Sequence, residues 1–288
     1  MHINMSASAF QAFPPATGQI DTLMRIVGEY RPGQCVWGFI NGISNTRNGA
    51  LESANLISKA ANGERVLSMP NDTALLGFED VSTCVVLKCG IDTLNVGWTA
   101  KFFRYLLSLS KEDHVPVIIF AHSQGAILSE HALELLNQQE RKQIRIFTFG
   151  GGSFIAPGKS HTDSHNYVTI ADFVPGLGSQ ALQRMALHRY YGDKRKLSQQ
   201  QIIMELALED YLFYLDSVES TATEIYLKKC IRHYEDAFLQ LNNVTVLDPD
   251  PDCRWKHRFD STCYQVAVQE IIQKYQRQQS LKENLVYA

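Results

Sequence analysis

The chain has 288 residues, of which 45% are hydrophobic, 20% charged and 10% aromatic, and its formal net charge is −3. This composition excludes disordered, collagen-like and low-complexity chains and predicts a soluble globular protein with a substantial core. Because 27 basic side chains stand against 30 acidic ones, charge provides no general attraction to nucleic acid or to an anionic membrane. We therefore expect no nucleic-acid partner.

Short apolar runs alternate with longer amphipathic segments along the chain. Runs rich in β-branched and aromatic residues and bounded by turn formers predict strands, and apolar residues at helical spacing predict helices. Strands are predicted at 35–40, 64–71, 115–120, 144–150, 166–172 and 243–250, and helices at 50–61, 92–110, 126–139 and 261–277. This order predicts an α/β fold with a mostly parallel, doubly wound sheet and helices on both faces.

A helical stretch at about 198–240 interrupts the alternation before the last strand. We interpret it as an insertion within a single domain spanning residues 1–288. Its apolar density is compatible with a cap over a cleft and equally with a pair of core helices. The residues after the final helix, QRQQSLKENLVYA at 276–288, are expected to form a frayed tail.

Cysteines and apolar runs bear on the location of the protein. Six cysteines occur without a CxxC pair, which is typical of a reducing compartment, although one bridge such as Cys253 to Cys263 stays open. The N-terminal segment has no basic stretch followed by an apolar run, so it predicts no secretory signal peptide. No run of about 18 apolar residues predicts a transmembrane helix. We expect a cytoplasmic or effector-like protein, with export by another route open.

The segment AHSQG at 121–125 joins a predicted buried strand directly to a predicted helix. This is the nucleophile-elbow pattern GxSxG with alanine in the first glycine position. A serine on such a sharp turn has strained backbone angles, and its neighbours must be small so that the strand and helix can approach. The pattern predicts Ser123 as a nucleophile and the Gln124 amide, at the helix N-terminus, as an oxyanion donor. A purely structural turn is the alternative.

A serine nucleophile requires a base and an orienting acid. Asp172 ends the strand segment YVTIA and precedes Phe-Val-Pro, which predicts that its carboxylate lies at the carboxyl edge of the sheet. A turn or capping role for Asp172 is the alternative. Asp163 and Asp193 are the other candidate acids.

The candidate base is His257, which follows the last predicted strand and precedes the final helix. Hydrolases with this elbow carry serine, acid and histidine in that chain order. His188 is the second candidate, and His233 falls in a helical pattern typical of a surface residue. His122, beside the serine, is expected to pack, and it is also a candidate for substrate contact.

The second oxyanion donor is expected in the loop after the first strand, FINGISNT. Gly42 allows the backbone to turn its amides into a cleft, so we predict a donor at the amide of Gly42 or Ile43. Asn41, Asn45 and Thr46 could orient this loop or contact substrate. A plain Asn-Gly turn would look similar in sequence.

Together FING, AHSQG, YVTIADFVP and HRFDSTCY resemble the α/β-hydrolase superfamily, nearest to its lipase and esterase-like members and to bacterial hydrolases among them. The resemblance spans residues 34–275 in element order. It implies an α/β-hydrolase-like serine hydrolase with Ser123, Asp172 and His257 as the triad and with no cofactor. The implied substrate is a small-molecule or lipid ester, or a thioester. A catalytically silent hydrolase fold that acts as a binding or scaffold protein is the alternative.

Other motifs give weaker indications. No P-loop sequence occurs, and Gly150-Gly151-Gly152 is interpreted as a turn because the later glycine of a dinucleotide-binding motif is missing. The HxDxH sequence at 161–165 is interpreted as a solvated loop, so no metal site is predicted. The basic cluster at 194–196 is too short to indicate nucleic-acid binding.

Overall fold

The computed structural model describes residues 24–42, 47–69, 94–169, 174, 243–247 and 257–286, and the elements are numbered within these ranges. The strands are β1 (Arg25–Val27), β2 (Val36–Ile40), β3 (Val66–Met69), β4 (Val117–His122), β5 (Ile144–Phe149), β6 (His165–Thr169) and β7 (Val244–Leu247). The helices are α1 (Arg47–Ala60), α2 (Leu94–Asp113), α3 (Gln124–Glu134), α4 (Gln138–Gln143) and α5 (Thr262–Val286).

The described strands form one seven-stranded sheet in the order β1-β3-β2-β4-β5-β6-β7. The edge strand β1 runs antiparallel to β3, and every other neighbouring pair is parallel. The predicted α/β class with a mostly parallel sheet is therefore confirmed. The strand β1 was not predicted from the sequence, because its three residues are too few to show a strand periodicity.

Helices cover both faces of this sheet, as predicted. On one face, Ile57 of α1 and Ile272 of α5 are fully buried against aromatic side chains of the strands. On the other face, Phe103 of α2 and Ala132 of α3 belong to a second buried cluster. All six residues of β4 are buried, as expected of a central strand that is covered on both sides.

The predicted helix at 126–139 is in fact two helices, α3 and α4, because Asn137 begins a new helix. The Asn137 side chain accepts a hydrogen bond from the Glu140 amide at 2.9 Å. The Glu140 side chain in turn accepts one from the Asn137 amide at 2.9 Å. This reciprocal capping box satisfies two amide groups at the N-terminus of α4, and its Asn-x-x-Glu pattern is visible in the sequence.

The frayed tail predicted at 276–288 is wrong, because α5 continues to Val286. The predicted apolar face of this helix is buried, from Tyr264 to Tyr275. Beyond it, Gln276 donates to the Glu64 side chain at 2.7 Å and Gln279 donates to the Gly33 carbonyl at 2.6 Å. These hydrogen bonds connect the later turns of α5 to the turn before β3 and to the loop before β2.

The remaining predictions concern a disulfide bridge, a transmembrane helix and the helical insertion. Cys263 is a free thiol, so the open possibility of a Cys253 to Cys263 bridge is not realised. Among the described residues, no helix combines the length and apolar character needed to cross a membrane. The insertion at about 198–240 lies outside the described residues and stays a prediction, as does the single-domain assignment.

Candidate active site

The sheet topology creates a natural ligand position between β2 and β4. From β2 the chain proceeds outward to β3, whereas from β4 it proceeds in the opposite direction to β5. In open α/β sheets, ligands bind outside the carboxyl ends of the strands at such a switch point. Asn41 and Gly42 follow the carboxyl end of β2, and Ser123 follows that of β4. Two of the predicted site segments therefore meet at this point.

Ser123 occupies a strained turn between β4 and α3. Its φ of 57° and ψ of −122° lie in a region that residues other than glycine rarely adopt, at a cost of about 1–3 kcal/mol. Its amide donates to the Phe149 carbonyl at 3.2 Å, and its own carbonyl accepts from Ala126 and Gly152 at 3.1 Å each. These contacts to β5, to α3 and to the glycine turn after β5 hold the serine in this conformation.

Two glycines allow close approach around Ser123. A Cβ atom at Gly125 would lie 2.4 Å from the Ile40 carbonyl oxygen, so glycine is needed where α3 begins against the end of β2. A Cβ atom at Gly42 would lie 2.4 Å from the Ser123 Cβ and 2.9 Å from its Oγ. The backbone of the loop after β2 therefore packs directly against the serine side chain.

His257 lies at hydrogen-bond distance from the serine, although 134 positions separate the two in sequence. Its Nε2 is 2.7 Å from Ser123 Oγ. This is the distance expected between a nucleophile and its general base. The serine is only 3% exposed, which shields this contact from bulk water. The arrangement can move a proton from Oγ to the imidazole.

His122 packs beneath His257, as expected of the residue beside the serine. Its ring stacks on the His257 ring at a centroid distance of 4.8 Å, and its Nε2 lies 2.8 Å from the His257 carbonyl oxygen. Burial, with a smaller contribution from neighbouring His257, lowers the pKa of His122 to about 3. His122 is therefore uncharged near neutral pH.

Phe259 also contacts His122, although it was not predicted from the sequence as a site residue. Its ring lies 5.8 Å from the His122 ring and 4.9 Å from that of Phe39 on β2. An aromatic residue two positions after a candidate catalytic histidine was the available signal, because such a residue can anchor the segment that carries the histidine.

A cleft of about 760 Å³ opens beside the histidines. One wall is formed by α1 residues between Gly49 and Lys59, and the other by His122 and the 257–260 segment. The lining includes both acidic and basic side chains, and Arg258 and Asp260 pair with each other across exposed surface. A polar or charged molecule would find hydrogen-bonding groups there.

The remaining predicted site residues divide into those the structure describes and those it does not. Asn41 is fully buried and donates to the Gly42 carbonyl at 3.0 Å, a contact that suits the orientation of this loop. Contact of Asn41 or His122 with substrate stays a prediction. The following lie outside the described residues: Ile43, Asn45, Thr46, Asp172, His188, Asp193, the 194–196 cluster and His233.

Asp163, an alternative acid, lies at the opposite edge of the sheet from Ser123. It precedes the amino end of β6, whereas Ser123 follows the carboxyl end of β4, and both strands run parallel to β5. The Tyr275 hydroxyl donates to the Asp163 carboxylate at 2.8 Å. This carboxylate cannot reach His257.

The histidines of the HxDxH sequence have partners other than a common metal. Arg145 donates to Nε2 of His161 at 3.0 Å, and His165 Nε2 lies 2.7 Å from the Thr245 hydroxyl. Within the described ranges, no cluster of metal-ligating side chains has the geometry to hold an ion.

No protein-family model matches this chain, and no curated protein matches it either. Among solved structures, it is similar to a lipase of Bacillus licheniformis in its mature form. The two share 13% sequence identity over 70% of this chain and 68% of that chain, with a TM-score of 0.28. A similarity this distant transfers no activity, so the functional inference follows from the site geometry.

Proposed function

We propose that this protein is a serine hydrolase of the α/β-hydrolase type that cleaves a carboxylic ester or thioester through an acyl-enzyme intermediate. The observation that carries the proposal is the 2.7 Å contact between His257 Nε2 and the Oγ of a serine held in a strained strand-to-helix turn. Strain of this kind persists where the surrounding structure enforces it, and it clusters at active sites.

In the proposed reaction, Ser123 Oγ attacks the substrate carbonyl carbon while its proton moves to His257 Nε2. The tetrahedral intermediate collapses, the bond to the alcohol or thiol breaks, and His257 returns the proton to that leaving group. His257 then takes a proton from water, whose oxygen attacks the acyl-enzyme carbonyl carbon. The bond to Oγ breaks, the carboxylic acid leaves, and His257 returns its proton to Ser123 Oγ. Asp172 is proposed to orient the imidazole and to stabilise its protonated form.

The oxyanion is proposed to accept hydrogen bonds from the Gln124 amide and from the amide of Gly42 or Ile43. Gln124 is the first residue of α3, where the helix dipole favours a developing negative charge. Gly42 packs closely against Ser123, so the backbone of the loop after β2 lies within reach of the proposed oxyanion position. Both proposed donors are backbone amides. The glycines at 42 and 125 suit this arrangement because they let the backbone segments approach the serine closely.

Labelling with a fluorophosphonate probe tests the nucleophile and base directly. We expect the wild type to be labelled on Ser123, labelling to be abolished in Ser123→Ala, and labelling to be strongly reduced in His257→Ala. Ser58→Ala is the matched control, because Ser58 is also a buried serine but donates to the Glu64 carbonyl, away from the site. Absence of labelling in folded wild type, or labelling of Ser123→Ala, would overturn the proposal.

The same assay tests the proposed acid. Asp172→Asn should lower the labelling rate by orders of magnitude, as the corresponding change does in a serine protease, by about 10⁴. Asp163→Asn, which alters the competing acid at the opposite sheet edge, should leave the rate unchanged. Equal rates in Asp172→Asn and wild type would remove Asp172 from the triad while leaving Ser123 and His257 in place.

A further inference from the structure

The stacked pair of His122 and His257 has a geometry that packing alone does not require. We propose that His122 is a positioning residue for His257: it donates Nε2–H to the main-chain carbonyl of His257 and supports the imidazole ring that faces Ser123. This inference rests on the proposed hydrolase function and assigns a role to a residue outside the triad.

The hydrogen bond fixes the proton position on His122. A carbonyl oxygen can only accept, so the Nε2 atom 2.8 Å from it must carry the hydrogen. In a neutral ring, Nδ1 then holds a lone pair. Nδ1 is buried and has no hydrogen-bond partner within the described part of the chain. A single donor is therefore directed at the backbone of the residue that carries the base.

The position of His122 makes it a rigid support. It is the last residue of β4, in register with Phe149 of β5, and it is 5% exposed. His257, in contrast, belongs to no helix or strand, so the location of its ring depends on the contacts it makes. Phe259 contacts the rings of both His122 and Phe39, which fastens the same segment to the ends of two strands.

The uncharged state of His122 is compatible with this role. When His257 accepts the serine proton it becomes positive, and a protonated ring stacked 4.8 Å away would repel it. Burial keeps His122 neutral, as its lowered pKa indicates. The charged groups that line the neighbouring cleft are Glu52 and Lys59 on α1 and Arg258 and Asp260 on the following segment, all of them exposed to solvent. Solvent screening limits their effect on the buried ring.

Two substitutions separate the hydrogen bond from the stacking. His122→Phe keeps a flat ring of similar size but removes the donor, whereas His122→Gln keeps a side-chain N–H at a comparable reach. Trp37→Phe is the matched control, because it removes another buried ring N–H, which donates to Glu64 at 2.6 Å away from the site. All three should have modest and similar effects on stability.

The readout is the fluorophosphonate labelling rate as a function of probe concentration. We expect His122→Phe to lower the maximal rate by about tenfold with little change in half-saturating concentration, His122→Gln to recover most of it, and Trp37→Phe to match wild type. A wild-type rate in folded His122→Phe would overturn the inference, whereas an unlabelled wild type would instead overturn the proposed function.

Nitrogen-15 NMR of the wild-type histidines tests the inference without any variant. We expect His122 to stay neutral and protonated on Nε2 from about pH 5 to pH 9. A proton on Nδ1 of His122, or titration of its ring within this range, would contradict the proposed hydrogen bond whether or not the variants fold and whether or not the enzyme is active.

Discussion

At the scale of single residues, the site depends on backbone positions as much as on side chains. Ser123 is held in its strained turn by hydrogen bonds to three neighbouring segments, so the strain is a property of the local fold. The two adjacent glycines leave room for the strand ends to meet at the serine. A change that only adds a methyl group can therefore disturb the reactive geometry.

Gly42→Ala tests this dependence. Its Cβ would lie 2.4 Å from the Ser123 Cβ, so either the loop or the serine must move, and we expect a loss of fluorophosphonate labelling of at least about tenfold in a folded protein. Gly97→Ala is the control, because a Cβ there meets no atom within 4 Å and alanine favours the helix by about 0.5–1 kcal/mol. Unchanged labelling in Gly42→Ala would show that the loop does not press on the serine.

At the scale of elements, α5 connects regions of the chain that are distant in sequence. Its buried face covers one side of the sheet, and Tyr275 contacts the loop before β6 through Asp163. Burial by itself would raise the pKa of Asp163, but the Tyr275 hydrogen bond and the basic side chains nearby outweigh it and lower the pKa. These basic groups are Lys274, His161 and Arg145.

The lowered pKa of Asp163 predicts a pH-dependent contribution to stability. The folded state binds this proton less readily than the unfolded chain, so the stabilisation is present above the ordinary pKa of 3.8 and is lost as the pH falls through the lower folded value. In urea unfolding, Asp163→Asn should be less stable than wild type at pH 7, with a difference that narrows below pH 3.8. A difference independent of pH would contradict this assignment. Because the carboxylate is 34% exposed, the effect should be small.

At the scale of the whole molecule, the sheet separates two buried clusters that stabilise the fold together. Ile57 on α1 and Phe103 on α2 are both fully buried, in clusters on opposite faces. Neither helix can cover its face of the sheet without the strands between them, so we expect one cooperative unfolding transition.

Alanine substitutions at these two positions test that expectation. Ile57→Ala and Phe103→Ala should each reduce the free energy of unfolding by about 2–5 kcal/mol, because each leaves a cavity in a packed cluster. The double variant should show the sum within about 0.5 kcal/mol, since the residues share no cluster. Separate unfolding transitions in urea would contradict the expectation of one cooperative unit. Strong non-additivity of the two free-energy changes would show that the two clusters are energetically coupled.

The sequence by itself determined the features that are encoded locally. Apolar runs and turn formers predicted the parallel strands and their helices, and AHSQG between a strand and a helix predicted the sharp turn at Ser123. The same local logic failed where tertiary contacts extend an element. The helix α5 continues to Val286, and Gln276 and Gln279 in its later turns bind the turn before β3 and the loop before β2. The Asn-x-x-Glu pattern of the capping box at Asn137 is visible in the sequence, but only the structure established the break between α3 and α4.

Only the tertiary structure decided which distant side chains meet. Its place after the last predicted strand made His257 the candidate base ahead of His188, but its contact with Ser123, 134 positions away in sequence, depends on long-range packing. The stacking of His122 on His257 was likewise invisible in sequence. The hydrophobic periodicity of a segment determines which face of its helix or strand a residue occupies, because this periodicity depends only on residues nearby in sequence. Strand order and long-range packing determine which residues become neighbours.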